Sequence, residues 1–127
     1  MEDLSMLNWL AVIVGTVVSF LAGWLWYSPK LFGVKWAEGS KVSMNDGSSF
    51  PVFAMGSQLV ALFLLALVVG MTEIVTALYA GILIILTVAV FAASLAGFSQ
   101  KSSYAIAVDF FYIIVAGVIM ITSQGIF

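Results

Sequence analysis

The sequence predicts an all-α protein, an antiparallel bundle of four transmembrane helices with a short amphipathic loop segment on the cytoplasmic side. Three observations carry this. The 127-residue chain is 64% hydrophobic and only 8% charged, too little charge for the surface of a soluble domain. Four apolar runs, at 8–27, 51–71, 74–97 and 104–123, each reach about 20 residues, enough to cross a hydrocarbon core at the helical rise. All the lysines fall on one face once the runs are threaded through a bilayer: Lys30, Lys35 and Lys41 come after the first run, and Lys101 after the third. The opposite face carries Glu2, Asp3 and Glu73. The positive-inside rule then places the lysine loops in the cytoplasm and both chain ends outside. One integral-membrane domain accounts for residues 1–127. A helical bundle points to the inner membrane for a bacterial source, because outer-membrane proteins are barrels.

The first run opens at Asn8, a suitable N-cap. The acidic start before it, Glu2 and Asp3, reads as the translocated end of a retained helix, since a secretory signal starts basic. Within the run, Ala11, Gly15, Ser19 and Gly23 recur every fourth residue and form one small-residue stripe, the geometry that lets helices approach closely in lipid. The stripe is the first candidate for a contact between copies. Trp24, Trp26 and Tyr27 form an interfacial aromatic belt. Ser28-Pro29 ends the helix, because proline disfavours helix in the residue before it. Residues 30–37 mix Leu31, Phe32, Val34 and Trp36 with Lys30 and Lys35, which predicts a short turn or helix lying on the inner leaflet. Residues 37–50 read as a polar loop with Asn45-Asp46-Gly47 as its turn.

Pro51 suits the first turn of the second helix. Gly70, Met71, Thr72 and Glu73 read as a tight outer turn, with Thr72 capping the third helix and Glu73 at its positive end. The third run carries a second small-residue stripe at Ala77, Gly81, Ala89, Ala93 and Gly97, interrupted by Ile85. Ser103 is the expected cap of the fourth helix.

Composition excludes much chemistry. The chain has no Cys, no His and no Arg. It therefore lacks thiolates, the commonest general base and metal ligand, and the fork that grips phosphate. The methionines show no regular spacing, so no metal site and no cofactor is expected. Four lysines and a net charge of −2 argue against nucleic acid as a partner.

Asp109 is the one charge well inside a run, about five residues and so roughly 7 Å past Tyr104. It shares a helical face with Ala105, Tyr112, Ala116 and Ser123, which should point into protein. A bare carboxylate there costs about 2.5–3.5 kcal/mol on insertion scales. It must be paired, hydrated or protonated. A structural reading pairs it with Tyr27 or Ser28, or with Lys30 or Lys101 reaching in from the interface. A functional reading makes it a proton- or cation-binding group on a transport path. The expected polar cluster is Tyr27, Ser28, Asp109 and Tyr112.

The run from Gly23 to Trp36, GWLWYSPKLFGVKW, resembles a family of small four-span membrane proteins known as domain of unknown function seventeen sixty-one. Asn8 and Trp9 match its opening. Trp26, Tyr27, Ser28 and Pro29 match the motif that closes its first helix, and Leu31, Phe32, Gly33 and Trp36 match the segment after that motif. The resemblance implies the four-span fold and singles out the Tyr27-Ser28-Pro29 corner. It carries no activity.

The function expected is that of a structural, accessory or partner-binding membrane subunit. The alternative is a small oligomeric transporter or channel using Asp109. No nucleophile–base pair or metal site marks an enzyme. The partners expected are the lipid bilayer, further copies of the chain and a second membrane protein.

Overall fold

The structure is a computed structural model that describes residues 6–41 and 52–127. It is all-α among the described residues. The helices are α1 (Trp9–Trp26), α2 (Gly33–Ser40), α3 (Val52–Ile74), α4 (Leu78–Phe98) and α5 (Ser103–Ile126). α1, α3, α4 and α5 are each long and apolar enough to cross a membrane. Glu2, Asp3, the Asn45-Asp46-Gly47 turn and Pro51 lie outside the described residues.

α5 is the centre of the bundle and packs against every other helix. Its main partner is α1, which runs antiparallel to it. The α1 stripe is used for this pairing. Ala11, Gly15, Ser19 and Gly23 are all buried. A Cβ on Gly15 would lie 3.5 Å from the Met120 Cα, and one on Gly23 would lie 2.6 Å from the Tyr112 hydroxyl. Small residues let the two backbones close to dispersion contact, the main gain available in lipid. The stripe expected to join copies of the chain is thus covered by the chain's own fourth span.

Polar groups along this seam pair across it, as they must where water is absent. The Ser123 hydroxyl donates to the Ala11 carbonyl at 2.8 Å, and the Tyr112 hydroxyl to the Ser19 carbonyl at 2.8 Å. The Ser19 hydroxyl donates to the Ala116 carbonyl at 3.4 Å, and the Trp26 indole to the Val108 carbonyl at 3.0 Å. Each such bond contributes about 0.6 kcal/mol in membranes, so they set register more than they stabilise.

α4 seats a second close contact. Gly81, Ile85, Ala89 and Ala96 are buried, while Gly97 faces open space. The buried face therefore leaves the expected stripe in its last turns, keeping to 3.6 residues per turn rather than four. Ile85 fills the gap opposite Gly117, where a Cβ would lie 2.6 Å from two of its side-chain atoms. Gly117→Ala should therefore lower stability by about 1–3 kcal/mol through overpacking. Ile85→Ala in the same chain should return part of that loss. Thermal unfolding of the two variants in one detergent measures this, and a Gly117→Ala that unfolds like the parent contradicts it.

Three local expectations change. Residues 70–73 are the last turn of α3, not an outer turn. Gly70 is a packing glycine whose Cβ would crowd Leu7 and Gln124, at 2.9 and 3.1 Å. The helix ends later, where the Ala77 N–H reaches the Thr72 carbonyl at 2.8 Å and Thr76 turns left-handed at φ 51°, a Schellman-type close. Thr72 does not cap α4. Its hydroxyl donates back to the Val69 carbonyl, and the α4 N-cap is Ala77. Glu73 accordingly belongs to the C-terminal turn of α3. At α5 the cap is Ser102, whose hydroxyl accepts from the Ala105 N–H at 3.1 Å, one residue before the expected Ser103.

The segment after α1 is also more than a surface helix. α2 buries Gly33 and Ala37 and packs on α5. The Gly39 carbonyl accepts from the Ser102 N–H at 2.9 Å, which fastens α2 to the start of the last span.

Candidate functional site

The corner between α1 and α2 is built by local rules. Pro29 has no N–H and cannot extend α1. The chain reverses instead: the Leu31 and Gly33 N–H groups both donate to the Ser28 carbonyl, at 3.1 and 2.9 Å, and the Phe32 N–H donates to the Trp26 carbonyl at 3.2 Å. This reversal presses Gly33 onto the Tyr27 carbonyl oxygen, leaving no room for a side chain. Trp36, one turn later, comes back beside Tyr27 with ring centroids 4.9 Å apart, edge to face.

Asp109 receives that corner. Its Oδ1 accepts from the Tyr27 hydroxyl at 2.7 Å and from the Trp36 indole N–H at 2.8 Å. Its Oδ2 accepts from the Lys101 ammonium at 2.9 Å. The two charged side chains are 25% and 15% exposed, so solvent screens the pair only in part. Lys101 also lies 5.3 Å from the centre of the Trp36 ring, within cation–π range. One carboxylate thereby ties together the end of α1, α2, the loop before α5 and α5 itself.

The expected cluster is only partly gathered. Tyr27 and Asp109 are bonded. Tyr112 packs its ring against Tyr27, with centroids 5.6 Å apart, but its hydroxyl goes to Ser19. Ser28 stands apart, because its hydroxyl donates back to the Leu25 carbonyl in the last turn of α1. Of the two lysines considered, Lys101 takes the carboxylate and Lys30 is exposed. Trp36 is a partner of Asp109 that the sequence reading misses. Its indole N–H in an otherwise apolar segment is the available signal, since a buried indole seeks an acceptor.

Beside this cluster lies a cleft of about 340 Å³ between α3, α4 and α5. Ala92, Leu95, Ala96 and Ile113 form its apolar walls. Tyr27, Asp109, Lys101 and Tyr112 close one side, and Gln58 and Ser99 contribute the remaining polar groups. The cleft exists because α3 leaves the bundle at this end. Burial on α3 begins at Leu62 and continues at Ala66 and Val69, whereas Phe53, Gly56, Gln58 and Val60 are exposed. A larger, shallow depression of about 570 Å³ lies on α3 along Phe53, Gly56, Val60 and Leu64 and holds no titratable group. No three His, Cys, Asp or Glu side chains gather among the described residues.

A bundle of four apolar spans with one internally paired carboxylate defines a small integral membrane protein in contact with the lipid bilayer. Residues 10–123 match the family described as Protein of unknown function (DUF1761), and the chain belongs to it. No curated protein and no solved structure matches the chain.

Proposed function

We propose that the protein is a non-catalytic accessory subunit of its membrane, working by binding at its lysine-bearing end rather than by moving ions. One observation supports this most. Asp109 is held by three donors from three separate segments. A transport carboxylate must exchange partners in each cycle, whereas this one braces the α1–α2 corner against α5. Beyond Tyr112 the seam of α1 and α5 is filled by Met120, Gly15, Ser123 and Ala11, which leaves the cleft open at one end of the bundle.

The experiment is reconstitution of the purified chain in liposomes with a proton-sensitive dye. No flux above that of empty liposomes is expected. A flux that disappears in Asp109→Asn would establish the transporter reading in its place. Native mass spectrometry of gently extracted protein gives the positive arm, in which a stoichiometric second protein identifies the subunit's partner. Association of further copies must use a face other than the α1 stripe.

In this reading the lysine end is cytoplasmic and both chain ends are outside, by the positive-inside rule. The cysteine-free chain makes this easy to check. An impermeant maleimide on intact cells should label Val75→Cys and spare Lys30→Cys, and the reverse pattern inverts the topology.

A further inference from the structure

We propose that the cleft beside Asp109 binds the zwitterionic headgroup of a phospholipid, of the type that joins a primary ammonium to a phosphate. The proposal rests on the binding role given to this end of the bundle and names the ligand bound there.

The charge of the site selects the class. The cleft is lined by one cation, Lys101, and one anion, Asp109, already 2.9 Å apart. An added anion would be drawn to Lys101 but repelled by Asp109, and an added cation would meet the converse. In a partly desolvated site such repulsion is poorly screened. A ligand carrying both charges can lay its dipole against the pair, so that each charge faces its opposite.

The hydrogen-bonding capacity also comes in two parts. An ammonium has three donors and a carboxylate about four acceptor positions. Lys101 uses one donor on Asp109, and Asp109 has accepted three bonds, leaving Oδ2 room for a further donor. Tyr27 spends its hydrogen on Asp109, so its oxygen remains as an acceptor beside the cleft, whereas the Tyr112 hydroxyl is buried in the seam with α1. The Asp109 Oδ2 and the Tyr27 oxygen suit a primary ammonium, which brings three N–H groups. Lys101, Ser99 and Gln58 supply donors for a phosphate.

The position selects a lipid over a soluble zwitterion. The walls Ala92, Leu95, Ala96 and Ile113 are apolar and belong to membrane spans. The cleft reaches from the end of α4 to Ala92, roughly 9 Å inside that helix, and to Ile113, roughly 15 Å inside α5. Its outer, charged end lies where a headgroup gives way to acyl chain, and its apolar deep end lies among the chains.

The test titrates the purified 127-residue chain with phosphatidylethanolamine, phosphatidylcholine and phosphatidylglycerol of matched chains, read by native mass spectrometry. Phosphatidylethanolamine should bind about tenfold more tightly than either of the others, the equivalent of one charge-assisted hydrogen bond. Ala92→Phe fills the cleft from its apolar wall while keeping both charged residues, and should abolish the preference while leaving thermal unfolding unchanged. If that variant does not fold, the pair Gln58→Leu and Ser99→Ala at exposed positions should reduce the preference instead. Affinities equal within about twofold for the three lipids overturn the proposal, as does an unaltered preference in a folded variant. Binding of glycerophosphoethanolamine, which has no acyl chains, as tightly as the lipid overturns the lipid assignment. None of these failures touches the accessory reading, which falls only to an Asp109-dependent flux.

Discussion

Gly33→Ala should cost more than about 3 kcal/mol, at the upper end of single-substitution effects. The new Cβ would overlap the Tyr27 carbonyl oxygen and lie 2.8 Å from the Ser28 carbonyl carbon and oxygen. These are backbone atoms, and they cannot rotate away as a side chain could. The corner is also fixed by the bonds from Gly33 and Phe32 to Ser28 and Trp26. Relief therefore means opening the reversal, which withdraws Trp36 from Asp109 and lifts α2 off α5. Gly56→Ala and Gly97→Ala are the controls, because a Cβ at either meets open space. There the change removes only glycine's helix penalty, worth up to about 1 kcal/mol. Unfolding of the three variants in one detergent, followed by tryptophan fluorescence, separates these cases. A Gly33→Ala chain melting within about one degree of the parent would show that the corner is not tight.

The part of the fold legible in the sequence is the part that lipid dictates. A span must be long, apolar and internally hydrogen-bonded, so four runs mean four helices. Asn8 is legible as a cap because its side chain has a local task, accepting from the Ala11 N–H at 3.1 Å. Gly70 misleads because glycine serves two purposes in a span. It can break a helix or admit a neighbour, and only the positions of Leu7 and Gln124 decide between them. The α1 stripe presents the same ambiguity. Small residues every fourth position announce a close contact but do not say whether the neighbour is another copy or another span.

The candidate site divides similarly. Asp109 stands out because a charge inside an apolar run demands a partner. Tyr27 and Lys101 are legible as partners because they lie at matching depth on the same side. Trp36 is not, since bringing it back to Tyr27 depends on the backbone path from Pro29 to Gly33. Ser28 misleads because a hydroxyl near a helix end has a closer acceptor in its own preceding turn. The cleft is not legible at all. It results from α3 departing from α4 before Leu62, a matter of relative helix placement that no periodicity encodes.

Removing the Asp109 carboxylate should have the second large effect, and the shape of the loss distinguishes a brace from an incidental contact. Asp109→Ala leaves the Lys101 ammonium, the Tyr27 hydroxyl and the Trp36 indole without their acceptor. An unpaired charge and two unsatisfied donors at a half-buried site should cost about 3 kcal/mol. Asp109→Asn keeps one acceptor oxygen, so it can hold Tyr27 and Trp36 while giving up the ion pair, and should fall between parent and alanine. Lys101→Met removes the stranded cation but keeps an apolar stem for the Trp36 face. In the combined Lys101→Met, Asp109→Asn chain the losses should therefore not add. A coupling of about 1 kcal/mol or more is expected from a double-mutant cycle of unfolding free energies. Additivity within about 0.5 kcal/mol would mean that solvent already screens the pair. The cycle bears on function as well as on stability. A carboxylate whose removal loosens three segments at once, and whose loss is offset by removing its counter-ion, holds the wall of the cleft in place. A carboxylate that can be neutralised at no structural cost is instead free to change its protonation state, and that freedom is what a transport role requires.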